Sequence, residues 1–149
     1  MIRGLDLPPI WLIGFIALAW WISTVMPGVS LSFPWQGAVA MALFLIGILL
    51  TGLAAFEMAR ARTTIIPHRT PDALVTSGVF RWTRNPIYLG DVLILTSFVL
   101  WFQVAAGLFL VPVFMWVIRR RFIDQEEQGL RAKFAGDFED WQKKTRRWM

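Results

Sequence analysis

The chain has 149 residues, one domain's worth, of which 56% are hydrophobic and 17% charged, with a formal charge of +5. A soluble domain carries about 45–50% apolar and about 25% charged residues, and here no charge falls between Asp6 and Glu57 or between Asp91 and Arg119. This excludes an ordinary soluble globule, a disordered chain, a coiled coil and a pair of large soluble domains, and reads as a small integral membrane protein.

The first span is predicted at 9–26. Asp6 followed by Pro8 and Pro9 makes a helix start, and Pro27-Gly28 a stop. Arg3 precedes an apolar stretch that runs on past Trp20 and Trp21, without a small-residue cleavage site. A retained helix is therefore expected and not a cleaved signal. The second span is predicted at 35–56. Gly47, Thr51 and Ala55 recur every four residues along it, a spacing that lets another helix approach closely.

The third apolar block, Ile87–Ile118, would reach about 48 Å as one helix, too long for one crossing. A turn near Trp101–Ala105, around Gln103 and Gly107, divides it into spans at 87–102 and 104–118. With that hairpin all 15 Lys and Arg fall on one side, as the cytoplasmic preference of basic residues favours. The predicted fold is an all-α integral membrane protein of four transmembrane helices, the last two a helical hairpin. A cytoplasmic loop, 57–85, and a cytoplasmic tail, 119–149, with a C-terminal amphipathic helix complete it. Both termini are placed in the cytoplasm and the chain in a bacterial inner membrane. The bilayer accounts for the basic charge, so no nucleic-acid partner is expected; the sequence leaves the oligomeric state open.

Aqueous chemistry must come from the loop and the tail. In the loop, Asn85-Pro86 has the residue types of an N-cap and a first helical position. A helix N-terminus also offers free N–H groups to a carboxylate or phosphate. Tyr88, the only tyrosine, lies one turn in, and Asp91 one turn further. Asp91 reads either as a functional ionisable group at a span's end or as the partner of a loop arginine. In the tail, Phe122, Leu130, Phe134, Phe138 and Trp141 form one helical stripe, with Glu126 on it. A carboxylate on an apolar face is costly unless paired. Glu127 sits one position round, where Arg131 at i+4 offers a surface partner. Arg146-Arg147-Trp148 suits either anionic headgroups or an anionic substrate. His68 has no metal-ligand spacing around it, and cysteine is absent, as are GxG, HExxH and GxSxG motifs. Nucleophilic triads and dinucleotide or P-loop fingerprints are thereby excluded.

Leu74-Val75, Gly78 and Phe80, followed by Arg84-Asn85-Pro86, Tyr88, Leu89 and Gly90, resemble the cofactor motif of the isoprenylcysteine carboxyl methyltransferase and phospholipid methyltransferase superfamily. Glu126-Glu127, Leu130, Phe134, Phe138, Trp141 and Arg146-Arg147-Trp148 are similar to its second half. Asn85 stands where His is frequent, Ala135 where Gly is usual, and Phe138 and Trp141 where Tyr is. The resemblance implies a membrane enzyme using S-adenosylmethionine to methylate a lipophilic or lipid-like acceptor at the cytoplasmic face. It implies cofactor binding by Leu74, Val75, Gly78, Asn85, Tyr88, Glu126 and Glu127. Arg146 or Arg147 is expected to orient the acceptor, with Glu127 or Glu126 as the base if that acceptor is an amine. Methyl transfer needs positioning and charge balance more than a nucleophile, so the missing triads are no obstacle. The alternatives are an NADPH-dependent reductase of the sterol-reductase type, a small four-span exporter and a non-catalytic cofactor-binding scaffold. The first two spans hold no Asp or Glu, which argues against an exporter.

Overall fold

A computed structural model gives the fold, described for residues 7–26, 30–63 and 71–149. The Arg3 and Asp6 flank, the Pro27-Gly28 stop and His68 lie outside the described residues. The described residues are helical and contain no strand, only two isolated bridges.

Helix α1 spans Pro8–Val25 and opens on its prolines, where the missing N–H is no loss. Helix α2 spans Gln36–Arg60, one turn into the predicted loop. Both are long and apolar enough to cross a membrane. Most of their large side chains face outward, among them Trp20, Trp21, Leu45, Ile48 and Leu49. Helices apolar all round need an apolar surround, and these two are covered by protein on one side only.

Helix α3, Pro86–Trp101, is the central element, with eleven of its residues buried. It packs most extensively on α2. A Cβ on Gly47 of α2 would sit 2.8 Å from the Gly90 carbonyl oxygen, and one on Gly90 would collide with the Thr51 hydroxyl. The expected small-residue contact is therefore present at Gly47 and Thr51. One turn on, Ala54 and not Ala55 is buried.

The chain reverses after α3, with Gln103 in the left-handed region at φ 57°. A 3-10 turn, Ala105–Phe109, leads into helix α4, Leu110–Ile118. At this end Leu31 N–H donates to the Gln103 carbonyl at 2.9 Å, and the Gln36 amide donates to the Leu100 carbonyl. The α1–α2 and α3–α4 connections thus meet at one end, opposite the segment between α2 and α3.

Helix α4 does not stop where the tail begins. It passes through a π-helical turn, Arg119–Ile123, into helix α5, Asp124–Lys144. The wide turn brings both Phe122 and Ile123 into complete burial. A second irregularity lies at Ala135, at φ 35° and ψ −110°.

The predicted tail stripe is shared between two cores. Phe122 belongs to one with Ala19, Tyr88, Leu95, Val99, Phe114 and Ile118. Phe138 and Trp141 belong to another with Ala54, Val75, Val79 and Phe80, against which Leu130 and Phe134 pack. The Glu126-Glu127 pair lies between the two cores, where apolar packing is interrupted.

Candidate active site

The loop is fastened to α2 first. Gly78 adopts φ 55°, a left-handed conformation that favours glycine. A Cβ there would meet the Glu57 side chain at 2.6–2.8 Å. Ser77 Oγ donates to Glu57 Oε2 at 2.7 Å beside it. The following 3-10 turn, Gly78–Arg81, buries Val79 and Phe80. Trp141 Nε1 donates to the Phe80 carbonyl at 3.1 Å, joining α5 to the loop.

The tail then lies along the start of α3. Thr83 and Arg146 form a parallel bridge, and Arg84 N–H donates to the Arg146 carbonyl at 2.9 Å. Thr83 Oγ1 and Asn85 Nδ2 both donate to the Arg147 carbonyl, at 3.1 and 3.0 Å. Thr145 is extended, and side chains alternate along extended backbone. Thr145 is therefore buried, Arg146 exposed and Arg147 turned inward.

Asn85 precedes Pro86 as predicted, but its side chain makes no cap to α3. Its amide is engaged by Arg147 instead, so the first N–H groups of α3 carry no side-chain partner. Pro86, Ile87 and Tyr88 at that helix end line a cavity of about 340 Å³. Leu7, Pro8 and Pro9 of the α1 start, Thr51 and Met58 of α2, and Leu74, Val75, Phe80 and Arg84 of the loop share its wall with Asp91, Glu126, Glu127, Leu130, Phe138 and Trp141.

Each carboxylate on this wall has a distinct setting. Tyr88 Oη donates to Glu126 Oε1 at 2.7 Å. Glu127 is buried and takes two bonds from Arg147, Nε to Oε1 at 3.2 Å and Nη2 to Oε2 at 2.5 Å. Bidentate pairing of this kind is the strong form of the interaction. Arg84 Nε lies 3.3 Å from Glu127 Oε1, and Arg147 Nη1 3.5 Å from Asp124 Oδ1. Arg84 also donates through Nη1 to the Gln142 and Thr145 carbonyls at the end of α5, both at 3.2 Å, where a cation suits the helix dipole. Burial lowers the Arg84 guanidinium from its ordinary value, against the opposing pull of Glu127. The hydrogen bond to Glu127 raises that of Arg147. Guanidinium stays charged under either shift.

The expected surface pairing of Glu127 with Arg131 is replaced. Arg131 donates to Gln142 Oε1 at 3.1 Å and lies over the Phe138 ring. Glu127 is seven residues, two helical turns, before Phe134, which places it on the inward face of α5.

Of the residues expected to hold a cofactor, Leu74, Val75, Asn85, Tyr88, Glu126 and Glu127 line the cavity. Gly78 does not; it shapes the loop against Glu57. Of the expected acceptor arginines, Arg147 reaches the wall through Glu127, and the Arg146 side chain faces out. Arg84, expected only as part of the motif, Thr51, expected only as a packing residue, and Met58, given no role, also line the cavity. Arg84 adjoins Asn85-Pro86, but nothing local marks it as the counter-charge of a residue on α5. Arg84, the loop arginine nearest in sequence to Asp91, is committed to Glu127, and no ion pair joins Asp91 to a loop arginine among the described residues.

The donor set fits S-adenosylmethionine. Carboxylates and aromatic faces suit its ammonium and sulfonium, by charge and cation–π contact, and the uncapped helix end suits its carboxylate. The volume lies within the range of small-molecule sites.

The phospholipid methyltransferase family model matches residues 35–137. That range covers α2, the loop, α3, α4 and most of α5, and it agrees with the resemblance carried by the motif halves around Asn85 and Glu126. No curated protein and no solved structure matches the chain. A cavity built from both motif halves beside two membrane-length helices, together with a match over well over half of the sequence, gives one conclusion: the chain belongs to the phospholipid methyltransferase family and is a membrane methyltransferase.

Proposed function

We propose that the protein transfers a methyl group from S-adenosylmethionine to a lipophilic or lipid-like acceptor at the cytoplasmic face of a bacterial inner membrane. The observation that carries this reading is the shared cavity: residues 74–91 and 126–141, distant in sequence, line one space of about 340 Å³. S-adenosylmethionine supplies an electrophilic methyl group there. Asn85 and the start of α3 hold its carboxylate end. Glu126, held by Tyr88, and Glu127, held by Arg84 and Arg147, take its amino, ribose and adenine donors. Phe80, Phe138 and Trp141 form the apolar wall that excludes water.

Four crossings fit this arrangement. Both inter-helix connections meet at one end, and the cavity with every Lys and Arg of α5 lies at the other. Helix α3 has 16 residues, short for about 30 Å of hydrocarbon, a mismatch met by local thinning. The α1 start lines the cavity wall, which suits lateral entry of a lipid acceptor from the bilayer. Neither the reductase nor the exporter reading gains support from the family match.

Calorimetry tests the cofactor. S-adenosylmethionine or its demethylated product binds the purified protein, and Tyr88→Phe and Asn85→Ala each weaken binding about tenfold. Binding of NADPH instead overturns the reading in favour of the reductase. Radiolabelled S-adenosylmethionine with total membrane lipid then yields a labelled lipophilic product.

A further inference from the structure

We infer that the outward face of α4 and the arginine run that ends it form a binding site for an anionic phospholipid, with the lipid phosphate at Arg120 and an acyl chain along Phe109, Val113 and Trp116. The site is separate from the methyl-transfer cavity, none of whose lining residues belongs to it.

Phe109, Val113 and Trp116 are 77%, 48% and 61% exposed. With Arg120 they follow one another at steps of four, three and four residues, which sets all four on one stripe of a helix. The stripe is apolar for two turns and then carries a cation. A phospholipid presents its parts in the same order, an acyl chain and then a phosphate. Trp116 stands between the two, at the level where an indole is favoured in a membrane.

The cation does not stand alone. Arg119, Arg120 and Arg121 are consecutive and all exposed. The Arg121 guanidinium lies 4.9 Å from the centroid of the Trp11 ring, a cation–π contact that ties the first turn of α1 to the π turn. Arg119 lies 3.7 Å from Asp124, a carboxylate shared with Arg147 at 3.5 Å. Between them, Arg120 has neither a hydrogen bond nor an ion pair among the described residues. Neighbouring guanidinium groups repel one another, and a phosphate that accepts their paired N–H donors removes the repulsion. A headgroup that also carries an ammonium brings a like charge back to the run, so the site selects a headgroup of net negative charge. Helix α2 supplies the contrast. Exposed Leu49, Leu53 and Phe56 lead to Arg60 at the same spacing, but Ala59 and Ala61 flank that arginine where Arg119 and Arg121 flank Arg120.

The test is native mass spectrometry of the full-length protein in detergent. It is titrated with phosphatidylglycerol and phosphatidylcholine of matched acyl chains, and with glycerol 3-phosphate. Wild type binds phosphatidylglycerol about tenfold more tightly than phosphatidylcholine and glycerol 3-phosphate not measurably. Arg120→Ala weakens phosphatidylglycerol about fivefold, the weight of one arginine at a membrane surface, and leaves phosphatidylcholine unchanged. Arg120→Lys keeps the cation and most of the selectivity, which separates loss of the site from loss of fold. Trp116→Ala weakens both lipids alike, and Arg60→Ala changes neither. Equal affinity of wild type for the two lipids, equal losses in Arg60→Ala and Arg120→Ala, or glycerol 3-phosphate binding as tightly as the lipid overturns the inference. So does a lipid-free dimer that Trp116→Ala dissociates, since the stripe is then a contact between copies of the chain.

Discussion

Glu127 and Arg147, 20 residues apart, meet through two parallel hydrogen bonds that fasten the extended tail to the inner face of α5. Arg84 reaches the same carboxylate from the loop, so one buried anion ties together three segments. Apart from the side chain of Arg147, 25% exposed, this triad is almost wholly enclosed.

Glu127→Ala leaves the Arg84 side chain, 8% exposed, without its counter-charge. Breaking a buried pair in this way costs about 3–5 kcal/mol. Arg147→Ala leaves Glu127 paired with Arg84 and costs less, about 1.5–3 kcal/mol. Arg146→Ala removes an exposed side chain and stays within about 0.5 kcal/mol of wild type. Thermal unfolding in detergent should rank the three in that order. An Arg146→Ala protein as unstable as Arg147→Ala would contradict the inward–outward alternation of the tail.

The α2–α3 contact leaves no room for a methyl group. Gly47→Ala places Cβ 2.8 Å from the Gly90 carbonyl oxygen and 2.9 Å from Ile94 Cγ1, an overpacking worth about 1–3 kcal/mol. Gly52→Ala, in the same helix, meets nothing within 4 Å and gains up to about 1 kcal/mol from helix propensity. Opposite signs for the two variants are expected in denaturation curves, and equal effects would mean that α3 does not seat on Gly47.

Ala135 occupies backbone space that glycine enters without penalty, at φ 35°. Ala135→Gly should relieve about 1 kcal/mol of strain, a gain opposite in sign to the same change in an ordinary helix. A lowered melting temperature in this variant would show that α5 runs straight through this position.

Membrane topology is checked by reporter fusions after Gln103 and after Met149. Opposite sides are expected. The same side for both would mean that the block 87–118 crosses only once.

Much of this architecture is local and therefore legible in the sequence. Pro8, Pro86 and the charge-free stretches mark helix positions, because a proline start and an apolar run act within a few residues of backbone. The chain reversal at Gln103 and the close approach at Gly47 were readable for the same reason. Recognition of the family rested on Asn85-Pro86, Tyr88 and the Glu pair, whose chemistry survives in the residue types alone.

Tertiary structure decided which residues meet. One residue of phase is about 100° of rotation on a helix, so the π turn at Arg119–Ile123 and the kink at Ala135 govern which of Glu126 and Glu127 is buried. No periodicity in the chain announces either irregularity. Asn85 turning to the Arg147 carbonyl and Arg84 to Glu127 are pairings across a separation of 40 residues or more, fixed by the seating of α5 on the loop. The same seating commits Arg84 to Glu127, and among the described residues Asp91 faces the cavity without a hydrogen bond or an ion pair.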